Sequence, residues 1–168
     1  MTITAYLSPT CPACRQWHED VLPQLKRAYL DKGRARLVFK ETPSHDKIVD
    51  AAIFAIARCS DAQDYLLVLD VAFAARDAIE QASHSPAGPR QVLNALAALS
   101  GHTGGEVDAC LDSAITQRRL SEVRAEAIAR GVKATPTLII DGQLIDALDL
   151  MDASRLLAIV AARLPAAR

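Results

Sequence analysis

The chain has 168 residues, enough for one domain or one domain carrying an insertion. Apolar residues make up 51% of it but aromatics only 4%, so its core is expected to consist mostly of Ala, Leu, Ile and Val. Nineteen Lys and Arg against twenty Asp and Glu leave a net charge of -1 with no basic stripe, which argues against a nucleic-acid partner. The most apolar stretch, YLLVLDVAFAA, is broken by Asp70 and falls well short of the roughly 20 apolar residues of a membrane span.

At the N-terminus, TITAYL alternates, with Ile3, Ala5 and Leu7 on one side, and predicts a strand. The same segment lacks the basic start and apolar centre of a secretory signal. The chain is therefore expected to stay in the cytosol or to follow a removed leader. Ser8-Pro9-Thr10 breaks the strand, and from Cys11 the apolar spacing becomes helical through Trp17, Val21, Leu22, Leu25 and Tyr29. Pro12 suits the first helical turn, Pro23 predicts a kink, and Gly33 a stop before the strand ARLVFKE. From about residue 45 to about 130 every segment is helix-periodic: DKIVDAAIFAIARC, DAQDYLLVLDVAFAARDAIEQA, GPRQVLNALAALSG and EVDACLDSAITQRRLSEVRAEAIARG, with SHSPAGP and GHTGG as loops. TPTLIIDGQLID then reads as two strands joined at Asp141-Gly142, followed by a helix from about Ala153 to Leu164 that Pro165 should stop. The order β–α–β, helices, β–β–α predicts an α/β fold, a small mixed sheet with an inserted all-helical domain.

The chemistry concentrates in SPTCPACRQWHED. Cys11 falls at the start of the first helix and Cys14 one turn further, so both sulfurs share a face close enough for a disulfide. Free N–H groups and the positive end of the helix dipole favour a thiolate there, and the thiolate is the nucleophile of disulfide exchange. Cys11 is the expected attacking group and Cys14 the resolving one. Two other readings stay open: half of a zinc site, although Cys59, Cys110 and the four histidines supply no matching pair, and two inert buried thiols. Pro136 opens the strand in KATPTLII; it is either an ordinary trans proline or a cis one that turns backbone groups toward the cysteines.

TITAYLSPTCPACRQW, VLPQLKRAYLDKGRARLVFKETP, AAIFAIARC, VDACLDS and GVKATPTLIIDGQLID, in that order, resemble the DsbA-like branch of the thioredoxin superfamily over nearly the whole chain. The resemblance implies a thioredoxin fold formed by residues 1–44 and 131–168, split by a helical domain at 45–130. It implies catalytic roles for Cys11 and Cys14, a substrate-binding surface at Pro12, Thr135 and Pro136 with the Thr135-Pro136 bond cis, and a structural disulfide between Cys59 and Cys110. Closing a loop of that length is worth about 4 kcal/mol, and such a bond points to an oxidising compartment outside the cytosol, hence to a removed leader. Pro12-Ala13 replaces the Pro-His of the best-known oxidases, which implies a Cys11 less acidic than theirs. Thr135 is closer to the isomerase-type branches.

The expected function is a thiol–disulfide oxidoreductase that oxidises cysteines of protein substrates and needs no metal or organic cofactor; turnover in either direction requires a redox-recycling partner, a membrane oxidase or reductase or a small thiol. The alternatives are a reductase or isomerase using the same residues, and a non-catalytic peptide- or metal-binding module. No N-terminal stalk for dimerisation is seen, so a monomer is expected. Trp17 reads as core, His18 as a solvated side chain, and Lys40 and Glu41 as a solvated strand end.

Overall fold

In the computed structural model, which describes residues 1–164, four strands form one sheet in the order β2-β1-β3-β4. Strand β1 (Thr2–Leu7) lies in the middle, parallel to β2 (Arg36–Glu41) and antiparallel to β3 (Thr137–Ile140), which pairs with the short β4 (Gln143–Leu144). The alternating Ile3, Ala5 and Leu7 are all buried, as a core-facing stripe requires. Tyr6, on the opposite face, is buried too, against Ala127 and Ile139, because a helix covers that side as well. Asp141 and Gly142 both take positive φ, 46° and 87°, in the turn that Asp-Gly favours.

The helical run after β1 is segmented. Helix α1 (Pro12–Gln16) passes into a π-helical turn (Trp17–Val21), then α2 (Leu22–Leu25) and a second π-helical turn (Lys26–Leu30). Pro23 sits in the first turn of α2. Its missing N–H is accommodated by the wider preceding turn, in which the Leu22 N–H reaches the Trp17 carbonyl. Gly33, at φ 65°, lies between this run and β2.

Between β2 and β3 come α3 (Lys47–Cys59), α4 (Tyr65–Ala74), α5 (Arg76–Ser83), α6 (Arg90–Ala98), α7 (Gly104–Leu111) and α8 (Ala114–Ala129). Two of the helix-periodic stretches are each a pair of helices. Ala75 breaks α4 from α5 at φ −84°, ψ 7°, and Ser113 caps α8 by accepting from the Thr116 N–H. The stretch after β4 is likewise two helices, α9 (Ala147–Met151) and α10 (Ala153–Arg163), divided where Asp152 caps the second. Pro165, expected to end that helix, lies outside the described residues. Cys59 and Cys110 are joined by a disulfide that ties the end of α3 to α7.

Candidate active site

The turn from β1 into α1 carries the two remaining cysteines, both as thiols. Cys11 has extended backbone geometry, φ −77° and ψ 122°, and is the N-cap of α1: its Sγ accepts from the Cys14 N–H at 3.4 Å. Pro12 follows at the exposed first helical position, where no N–H is needed. Bonds from the Cys14 thiol first, then from the Thr135 side chain and the Cys14 and Ala13 N–H groups, outweigh burial and lower the Cys11 thiol to about 5. Cys14 is fully buried; desolvation first, then its bond to Cys11 and the charge there, push its thiol far upward. The pair is thus divided into one group built to be a thiolate and one built to stay protonated.

Thr135 and Pro136 arrive from the other end of the chain. The peptide bond between them is cis, and the Thr135 carbonyl lies 3.3 Å from Cys11 Sγ, accepting from the thiol. Thr135 Oγ1 shares a 2.6 Å hydrogen bond with Ser44 Oγ. Cys11, Cys14 and Thr135 are therefore brought together, with Pro12 adjoining Cys11 and Pro136 adjoining Thr135 in the chain, while Cys59 and Cys110 stand apart in the helical segment.

A polar cluster beside the cysteines was not anticipated. Asp50 of α3 is fully buried; it accepts from Ser8 Oγ at 2.7 Å, the Thr10 N–H at 2.9 Å and the Ser44 N–H at 3.0 Å. Burial raises its carboxyl against these bonds. Thr10 Oγ1 in turn accepts from the Asp46 N–H at 2.9 Å. The carboxylate thus holds both the residue that precedes Cys11 and the residue that bonds Thr135. The sequence does carry a signal: Asp50 occupies the stripe of Ile53, Phe54 and Ala57, where an acid has to be satisfied by partners.

Two expectations need correcting. His18 is not solvated: it is half-buried, stacks on Phe73 with ring centroids 4.6 Å apart and meets Asp70 at 2.8 Å. Glu41 and Lys40 do not form a solvated strand end. Glu41 is almost fully buried, accepting from Arg58 at 2.5 Å and Tyr65 at 2.8 Å, and Lys40 donates to Glu126 at 2.6 Å. In each case a helix of the insertion covers the position, which no local pattern reveals. Trp17 is fully buried core, as expected. Among the described residues no group of three or more His, Cys, Asp or Glu side chains is arranged to hold a metal, and no helix is long and apolar enough to cross a membrane.

A split thiol pair at a helix start, facing a threonine-proline turn on a four-stranded sheet, is the arrangement of thioredoxin-like proteins. The thioredoxin family's sequence model matches residues 1–158, and the chain belongs to that family. Among curated proteins it is similar to a Rickettsia bellii protein named for a proposed protein-disulfide oxidoreductase activity, 28% identical over 144 residues. That match covers 84% of this chain and 53% of the relative; the chain spans about half the length of the curated relatives it first matches. Among solved structures it resembles alpha-DsbA1 of Wolbachia pipientis (TM-score 0.78, 19% identity, 96% of this chain and 84% of that one). It also resembles oxidised BdbD of Bacillus subtilis (TM-score 0.77, 16% identity, 96% and 85%). These likenesses establish a DsbA-like thioredoxin fold.

Proposed function

We propose that this chain is a thiol–disulfide oxidoreductase that passes a Cys11–Cys14 disulfide to cysteines of protein substrates. The observation that carries the reading is the divided acidity of the pair, with Cys11 lowered to about 5 and Cys14 driven upward. A substrate thiolate attacks Cys11 Sγ; the substrate–Cys11 bond forms, the Cys11–Cys14 bond breaks, and Cys14 leaves and takes up a proton. A second substrate thiolate then attacks the substrate sulfur and expels Cys11 as a thiolate. The substrate is oxidised to its disulfide, and the pair is reduced by two electrons. Pro12, Thr135 and Pro136 form the surface that receives the substrate strand. The relatives' names support the same chemistry.

The lowered Cys11 thiol supports the oxidase direction. At pH 7 a thiol lowered to about 5 stabilises the reduced pair by about 3 kcal/mol, since each pH unit is worth about 1.4 kcal/mol. For a two-electron couple that makes the disulfide about 60 mV more oxidising than an unperturbed pair. The Cys59–Cys110 bond supports work in an oxidising compartment, where a membrane oxidase takes the two electrons from the reduced Cys11–Cys14 pair and restores its disulfide. Equilibration in glutathione buffers, read by alkylation and mass, is the test. A pair that stays dithiol until the buffer is strongly oxidising bears out the oxidase; one that remains a disulfide deep into reducing buffer makes the chain a reductase.

A further inference from the structure

Thr135 is also the end wall of a groove that no step above uses. It occupies about 310 Å³ and is lined by Lys47, Arg124, Lys133, Ile128 and Val132 as well as Thr135. An adjoining hollow of about 360 Å³ shares Pro43, Lys47 and Arg124 with it, so the depression continues between the start of α3 and the exposed side of α8 as far as Gln117.

The walls are cationic without visible structural cause. Most ion pairs among the described residues occupy other arginines, and none includes Lys47, Arg124 or Lys133. Nearby carboxylates are committed elsewhere: Asp46 caps α3, Glu126 pairs with Lys40 and Arg130, and Glu122 with Arg119. Lys47 is moreover the first residue of α3, where a cation opposes the helix dipole. Beside these charges Ile128 is 66% exposed, an apolar contact left uncovered.

We propose that this groove selects substrates by receiving an acidic segment next to the substrate cysteine, whose carboxylates meet Lys47, Arg124 and Lys133 while an apolar side chain packs on Ile128. The position fits: Thr135 joins the groove to Cys11 Sγ through a carbonyl 3.3 Å from the sulfur. The proposal rests on the oxidase reading, since it orients the thiolate that attacks Cys11 and expels Cys14. The substrate class is then acidic, cysteine-bearing polypeptide.

The test uses the oxidised protein and three synthetic dithiol peptides that differ only in having Glu, Gln or Lys around one cysteine, with dithiothreitol as an uncharged reference. Loss of the Cys11–Cys14 disulfide is timed by acid quench, alkylation and mass. The Glu peptide should react about tenfold faster than the Lys peptide at low ionic strength, and the gap should close in high salt. Flanking glutamates raise the peptide's own thiol pKa and so work against that order. In an Arg124→Glu/Lys133→Glu protein the order should invert. Equal rates for the three peptides, or an order the substitutions leave intact, overturn the groove while a normal dithiothreitol reaction keeps the redox reading. A disulfide that dithiothreitol cannot open overturns both.

Discussion

At the residue scale, two buried groups titrate away from their ordinary ranges in opposite senses. Cys11 is lowered to about 5, so the stability its thiolate gives the reduced fold is complete above the ordinary thiol range and is lost as pH falls through about 5. Iodoacetamide should therefore alkylate reduced Cys11 with a midpoint near pH 5, and the stability gap between reduced and oxidised protein should shrink from pH 7 toward pH 4. A midpoint in the ordinary thiol range would remove the argument for direction. Asp50 is raised, so the stability it contributes is full below the ordinary carboxylate range and drains as pH climbs through its folded value. Asp50→Asn, which does not titrate and keeps an acceptor, should gain on the wild type in urea melts as pH rises above the ordinary carboxylate range. Asp50→Ala strands Ser8 Oγ and the Thr10 and Ser44 N–H groups and should cost about 3 kcal/mol or more. Cys11, Cys14 and Thr135 were legible because their chemistry is written in a short spacing and one dipeptide. The Asp50 partners were not, because Ser8 and Thr10 lie some forty residues earlier in the chain.

At the element scale, the patterns that read well were those where one residue type decides the backbone. Asp141-Gly142 is such a case, and it has a functional position: the turn fixes the register of β3, whose first residue follows Pro136. A Cβ at Gly142 meets nothing within 4 Å, so a Gly142→Ala change acts through its φ of 87° alone. It should lower stability by about 1 kcal/mol in denaturant melts, with the glutathione equilibrium unmoved. A shifted redox equilibrium would mean that the hairpin also sets the Thr135 position. Helix boundaries read less well. The breaks at Ala75 and Ser113 sit inside stretches whose apolar period continues across them, because each helix packs its stripe on the same core. The π-helical turns on either side of α2, the segment that carries Pro23, interrupt a run whose apolar period continues through them.

At the scale of the whole molecule, the helical segment grips the turn that carries Cys11 and Cys14. Asp50 of α3 holds Ser8 and Thr10, Asp70 of α4 meets His18, and from α5 Arg76 donates to the Thr10 carbonyl at 3.1 Å while Asp77 pairs with Arg15 at 2.5 Å. Three insertion helices thus fix the segment from Ser8 to His18, and any disturbance of their packing should be felt at Cys11. The Cys59–Cys110 bond anchors α3, the first of those helices, to α7 across a separation of 51 residues. Removing it with Cys59→Ser/Cys110→Ser frees a loop worth about 4 kcal/mol of unfolded-chain entropy. The free energy of unfolding should fall by that amount, and Cys11 alkylation should keep its low midpoint, because the Asp50 and Arg76 bonds do not pass through the disulfide. If the alkylation midpoint rises together with the loss of stability, the bond is part of what shapes the thiolate, and the helical segment serves the chemistry directly as well as framing it.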